Sequence, residues 1–86
     1  DITKFEADKV EQFLLNNGAI DVNNTSGLGG TIYISAWVPY KDLKNGKKYL
    51  KIEKFKDEWF MVTDYPFYYE CDQIEGVINF ISSVLD

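Results

Sequence analysis

The stretch Tyr65 to Asp72, YPFYYECD, holds four aromatic rings in five positions and then the chain's single cysteine, Cys71, between Glu70 and Asp72. A cysteine acts as a nucleophile only as its thiolate, which a nearby cation or general base must favour. Two flanking carboxylates work the other way, and there is no His to take the proton. The expectation for Cys71 is a small, half-buried side chain. The rings Tyr65, Phe67, Tyr68 and Tyr69 offer stiff, amphipathic contact area of the kind that dominates binding hot spots. Part of the stretch is expected to be scaffold: a turn at Tyr65-Pro66, Phe67 or Tyr68 packed under a following helix, and Glu70 with Asp72 at that helix's positive end. Alternation sets Phe67 and Tyr69 on one side and Tyr68 on the other. The partner-binding candidates are Trp37, Trp59, Tyr65, Tyr68, Tyr69, Glu70 and Asp72, with Tyr33, Tyr49 and Phe55 adding to the outward aromatic load.

A second cluster is cationic. Between Lys41 and Lys56 there are seven lysines against Asp42 and Glu53, whereas Asp57 to Asp86 carries seven acids and no base. Lys44, Lys47, Lys48 and Lys51, with Tyr40, Tyr49 and Phe55 nearby, have the charge and stacking rings of a single-strand nucleic-acid surface. The net charge of -5 opposes that reading, and lysines on edge strands also guard against edge-to-edge pairing.

Other chemistry is poorly provided for. All nine cations are Lys, so both the usual acid-base imidazole and the bidentate guanidinium are missing. One Cys and no His make no four-ligand zinc set, and no stretch has the alternating ligands of a calcium loop. With fourteen acids in 86 residues, some carboxylates must be neighbours, so proximity alone points to no acid-base pair. The Gly-rich segment Asn23 to Gly30, NNTSGLGG, lacks both the Gly-Lys-Ser/Thr ending of a P-loop and GxGxxG spacing, and is read as a connector. No cofactor, no metal and no enzymatic activity are expected. The absence of Arg beside abundant Lys, Asn, Ile and Tyr suits a low-GC bacterial or phage genome.

The elements that position these groups follow from periodicity. Thr3 and Glu6 have capping-box spacing, with Ile2 as staple, and Ala7, Val10, Phe13 and Leu14 make one helical stripe up to Asn17-Gly18, giving a helix at about residues 4 to 17. Thr31 to Val38 alternates, with Ile32, Ile34, Ala36 and Val38 as its core side. Asn45-Gly46 is the strongest hairpin signal, Tyr49 to Phe55 is a second strand, and a tight turn at Lys56-Asp57 leads into a third, Glu58 to Asp64. That third strand is apolar on both faces. A two-residue turn pairs Ile52 with Met61, a three-residue turn pairs it with Val62, and the slip exchanges the faces. Asp72 and Glu75 cap a second helix whose stripe is Ile74, Val77, Ile78, Ile81, Val84 and Leu85, widened by Phe80.

The expected fold is a single α+β domain over residues 1–86, two layers in the order α-β-β-β-α, with a three-stranded antiparallel sheet and both helices on one face. That element order is similar to the double-stranded RNA-binding domain. The family's phosphate contacts need a basic start to the last helix, and here the stretch reads Glu70-Cys71-Asp72-Gln73-Ile74-Glu75, so its activity is not carried over. No apolar run reaches the length that spans a bilayer, so no membrane partner is expected and the chain reads as cytoplasmic. The functional expectation is a small acidic non-catalytic module of inhibitor or adaptor type. It would recognise a protein through its aromatic residues and acidic C-terminal third; the alternative is a nucleic-acid-binding module using the Lys-rich hairpin 41–56.

Overall fold

The computed structural model describes residues 2–27, 30–55 and 58–86, with side chains from residue 4 onward. In chain order the elements are α1 (Ile2–Asn16), β1 (Ile20–Asn24), β2 (Ile32–Pro39), β3 (Lys47–Lys54), β4 (Phe60–Asp64), β5 (Phe67–Cys71) and α2 (Ile74–Val84). The strands form one antiparallel sheet in the order β1-β2-β3-β4-β5, each hydrogen-bonded to its sequence neighbour.

The expected three-stranded sheet is therefore corrected to five strands. β1 occupies Asp21, Asn23 and Asn24, polar residues that are poor strand formers and lie in or beside what reads as a loop. Pairing with β2 overrides that propensity, through a bulge between Ile20 and Asn23 where Asp21 takes φ 52°. β5 occupies the aromatic stretch itself and pairs residue for residue with β4, from Asp64 opposite Phe67 to Phe60 opposite Cys71. With two more strands, the chain also parts from the element order of the RNA-binding family.

One face of the sheet carries the core. Ile34, Ile52, Val62 and Tyr69 form a row across β2 to β5; Ile32, Lys54, Phe60 and Cys71 form the next, and Ala36 faces Leu50. The helices pack on these rows, α1 beside β1 and β2, α2 beside β4 and β5, with Ala7, Val10, Leu14, Ile74, Val77 and Ile81 buried. The register Ile52 to Val62 resolves the two-sided third strand: Phe60 and Val62 turn inward, Met61 outward. Pairing resumes only at Lys54 opposite Phe60, so residues 55–59 connect the strands, and the tight turn expected at Lys56-Asp57 lies outside the described residues.

α1 stops where its Asn-Gly pair predicts. Gly18 has φ 83°, which glycine adopts without steric cost, and Ala19 N–H donates to Leu14 O at 3.0 Å. The capping box and staple expected of Ile2 and Thr3 lie outside the described side chains. For α2 the cap is Gln73, without a side-chain capping bond, and not the expected Asp72. Its far end is clasped to the sheet: Lys41 N–H donates to Val84 O at 2.9 Å and Asp86 N–H to Pro39 O at 3.1 Å, around a bridge of Tyr40 with Leu85.

Candidate functional site

β-Strand alternation sends every second residue away from the helices, and among the described residues no element covers that outer face. Its rows follow from the register. Tyr33, Glu53, Met61 and Glu70 cross the sheet at one end; Asn23, Ser35, Lys51, Thr63 and Tyr68 cross the middle; Ile20, Trp37 and Tyr49 lie at the other end, followed by Lys47. Trp37 and Tyr49 touch with ring centroids 5.3 Å apart at 52° and are 42% and 44% exposed, held by each other and by the strands beneath. The face is bipolar: Glu53 and Glu70 stand at the Tyr33 end, Lys47 and Lys51 toward the Trp37 end.

The expected binding residues divide among four places. Trp37, Tyr68 and Glu70 lie on this outer face. Tyr65 stands at the tip of the β4–β5 turn, preceding a cis bond to Pro66, and is 83% exposed. Trp59 and Asp72, with Glu70 and Cys71, line a shallow open cleft of about 340 Å³ at the far end of β5. Tyr69 points the other way and stacks on Phe80 of α2, centroids 5.1 Å apart at 16°, which makes it the ring that packs under the helix; the expected Phe67 and Tyr68 are exposed. Ile20 belongs to the outer face through its pairing with Trp37 and was not anticipated, because the β1 bulge breaks the alternation that would have marked it.

The lysines are divided too. Lys47 and Lys51 share the outer face with Tyr49, and Lys44 lies in the β2–β3 connection. Lys48 turns to the helix side, pairs with Asp64 and lies over the Tyr40 ring, 5.3 Å from its centroid. The Tyr40 hydroxyl and Asp64 Oδ1 are buried without a well-aligned hydrogen bond. Burial, reinforced by the Asp64 carboxylate, pushes the Tyr40 phenol far above its ordinary range. Lys54 is only 8% exposed: it threads the core row, donates to Glu6 Oε1 of α1 at 2.9 Å and lies 4.8 Å from the Phe60 ring centre.

Cys71 lies on the helix side against α2, with Sγ 3.5 Å from the Gln73 carbonyl. Gly76 permits this approach, since a Cβ there would lie 2.7 Å from Cys71 Cβ and 2.8 Å from Sγ. Burial, then the Asp72 charge, push the thiol up, against a smaller opposing effect of the Gln73 backbone contact. Among the described residues no three His, Cys, Asp or Glu side chains converge as a metal set would, and no helix is long and apolar enough to cross a membrane. No protein-family model, curated protein or solved structure matches this chain.

Proposed function

We propose that the chain is a non-catalytic protein-binding module of inhibitor or adaptor type that docks through the outer face of its sheet. One observation carries this reading: Tyr33, Trp37, Tyr49 and Tyr68 stand exposed on a face that no element among the described residues covers. An uncovered apolar and aromatic surface on a rigid sheet meets a partner with little ordering cost, which is what binding anchors require. The acidic C-terminal third lies alongside, because β4, β5 and α2 pack together. A cytoplasmic location rests on the chain's composition and its lone cysteine.

The same face supports a second reading, since Lys47 and Lys51 flank Tyr49 as phosphate contacts flank a stacking ring in single-strand binders. Capture from nuclease-treated lysate separates the two. The baits are the wild type, Trp37→Ala/Tyr49→Ala and Lys47→Ala/Lys51→Ala, each checked for folding by circular dichroism. The protein-docking reading expects a protein retained by the wild type and the lysine variant but lost by the aromatic variant. Nucleic acid retained from untreated lysate, and lost with the lysines, would replace it by the second reading.

A further inference from the structure

The two edges of the sheet are built differently. β1 is interrupted by a bulge, has a left-handed residue at Asp21, and is tied to α1 by Asn24 Nδ2 donating to Glu11 Oε1 at 2.8 Å. Bulges and covering elements are how sheets close an edge to further pairing. Among the described residues β5 has none of these devices: it holds no Lys and no Pro, keeps one-to-one register with β4 over all five residues, and is bonded to β4 alone. Its outward N–H and C=O groups meet no backbone partner among the described residues.

We propose that β5 accepts an extended segment of a partner protein, alternating basic and apolar residues, as a sixth strand. This rests on the reading of the chain as a protein-binding module and names the chemistry of the partner. Strand addition draws affinity from main-chain bonds and specificity from alternate side chains. On the outer side the incoming residues would lie beside Tyr68 and Glu70, a ring face and a carboxylate, both of which favour a cation. On the helix side they would lie beside Phe67, 71% exposed, and the Tyr69–Phe80 stack, which favour apolar side chains. Asp72 and Glu75 extend the negative field past the end of the strand, and from residue 57 to the C-terminus there is no cation.

Charge also argues against a second copy of this chain as the occupant. Antiparallel pairing of two β5 strands about Tyr69 would set Glu70 opposite the other copy's Tyr68. The two Glu70 carboxylates would then be diagonal neighbours on one face, with β-carbons within about 8 Å, and each copy adds a net charge of -5.

The test is a titration of the isotope-labelled chain, followed by backbone NMR, with a blocked heptapeptide alternating lysine and valine. Two control peptides accompany it: one with glutamate for lysine, and one N-methylated at alternate backbone positions. The lysine peptide is expected to shift the β5 amides and slow exchange of those facing outward. Glu70→Lys, with unchanged circular dichroism, should weaken it at least tenfold, and neither control should bind. The proposal is overturned if the lysine peptide leaves β5 unperturbed, if it binds Glu70→Lys equally well, or if the N-methylated peptide binds like the parent. It is also overturned if the free chain sediments as a dimer with β5 already protected. A protein captured through Trp37 and Tyr49 while β5 ignores the peptide would leave the docking reading standing and remove this one alone.

Discussion

Along β2, Trp37 and Val38 are adjacent and both apolar, yet one is 42% exposed and the other fully buried. The same division runs through β3 and β4, where Leu50, Ile52, Phe60 and Val62 turn to the helices while Tyr49 and Met61 turn to the bare side. Burial in this sheet is set by face, because the two helices pack on one side only. The helix side spends its hydrophobicity on stability. The bare side keeps large rings in water, where they add little to folding and are free to meet a partner.

Substitutions that cross this divide should separate the two roles. The largest effect is expected for Ile52→Ala in the central row: about 2–5 kcal/mol lost in chemical denaturation, from transfer and cavity terms together. Next comes Glu6→Ala, which leaves the Lys54 ammonium buried without its partner and should cost about 3 kcal/mol. A Glu6→Leu/Lys54→Met pair should recover most of that loss, and failure to recover it would mean that the ion pair itself holds α1 on the sheet. A smaller effect is tied to pH. The folded-state phenol of Tyr40 is raised, so the native chain keeps this proton after the unfolded chain has released it. The associated stability is complete below about pH 10, the ordinary tyrosine value, and is lost progressively above it. Tyr40→Phe should flatten the alkaline limb of a stability-versus-pH curve, and an unchanged limb would assign the loss to other groups. The smallest change is expected for Tyr49→Thr on the bare face, about 1 kcal/mol or less, reflecting a lost aromatic pair between half-exposed rings. A loss as large as that of Ile52→Ala would make the bare face a second core and sink its assignment as a free surface.

Both helices and the three inner strands were legible because their apolar residues recur at 3.6 or 2.0 spacing, as in Val10 with Leu14 or Ile32 with Ile34. The outer strands were not. β1 is short, polar and bulged, so its pattern never repeats long enough to be seen. In β5, alternation did place Phe67 with Tyr69 and opposite Tyr68, but three consecutive rings, Phe67 to Tyr69, blur the contrast between faces that announces a strand. Of the candidate site, the outward position of Trp37 followed from strand parity; which of Tyr68 and Tyr69 faces away from the helices did not, because the stacking of Tyr69 on Phe80 needed α2 in place.

By itself the sequence determined an α+β chain without His or Arg, its charge split between a lysine hairpin and an acidic last third. These are properties of composition and of local period, and they do not depend on which strand lies beside which. Tertiary structure alone decided the five-strand order, the register that turns Val62 inward, the withdrawal of Lys48 and Lys54 to Asp64 and Glu6, and the open edge at β5. Each is a long-range pairing, and a single step of register moves every side chain of a strand to the opposite face.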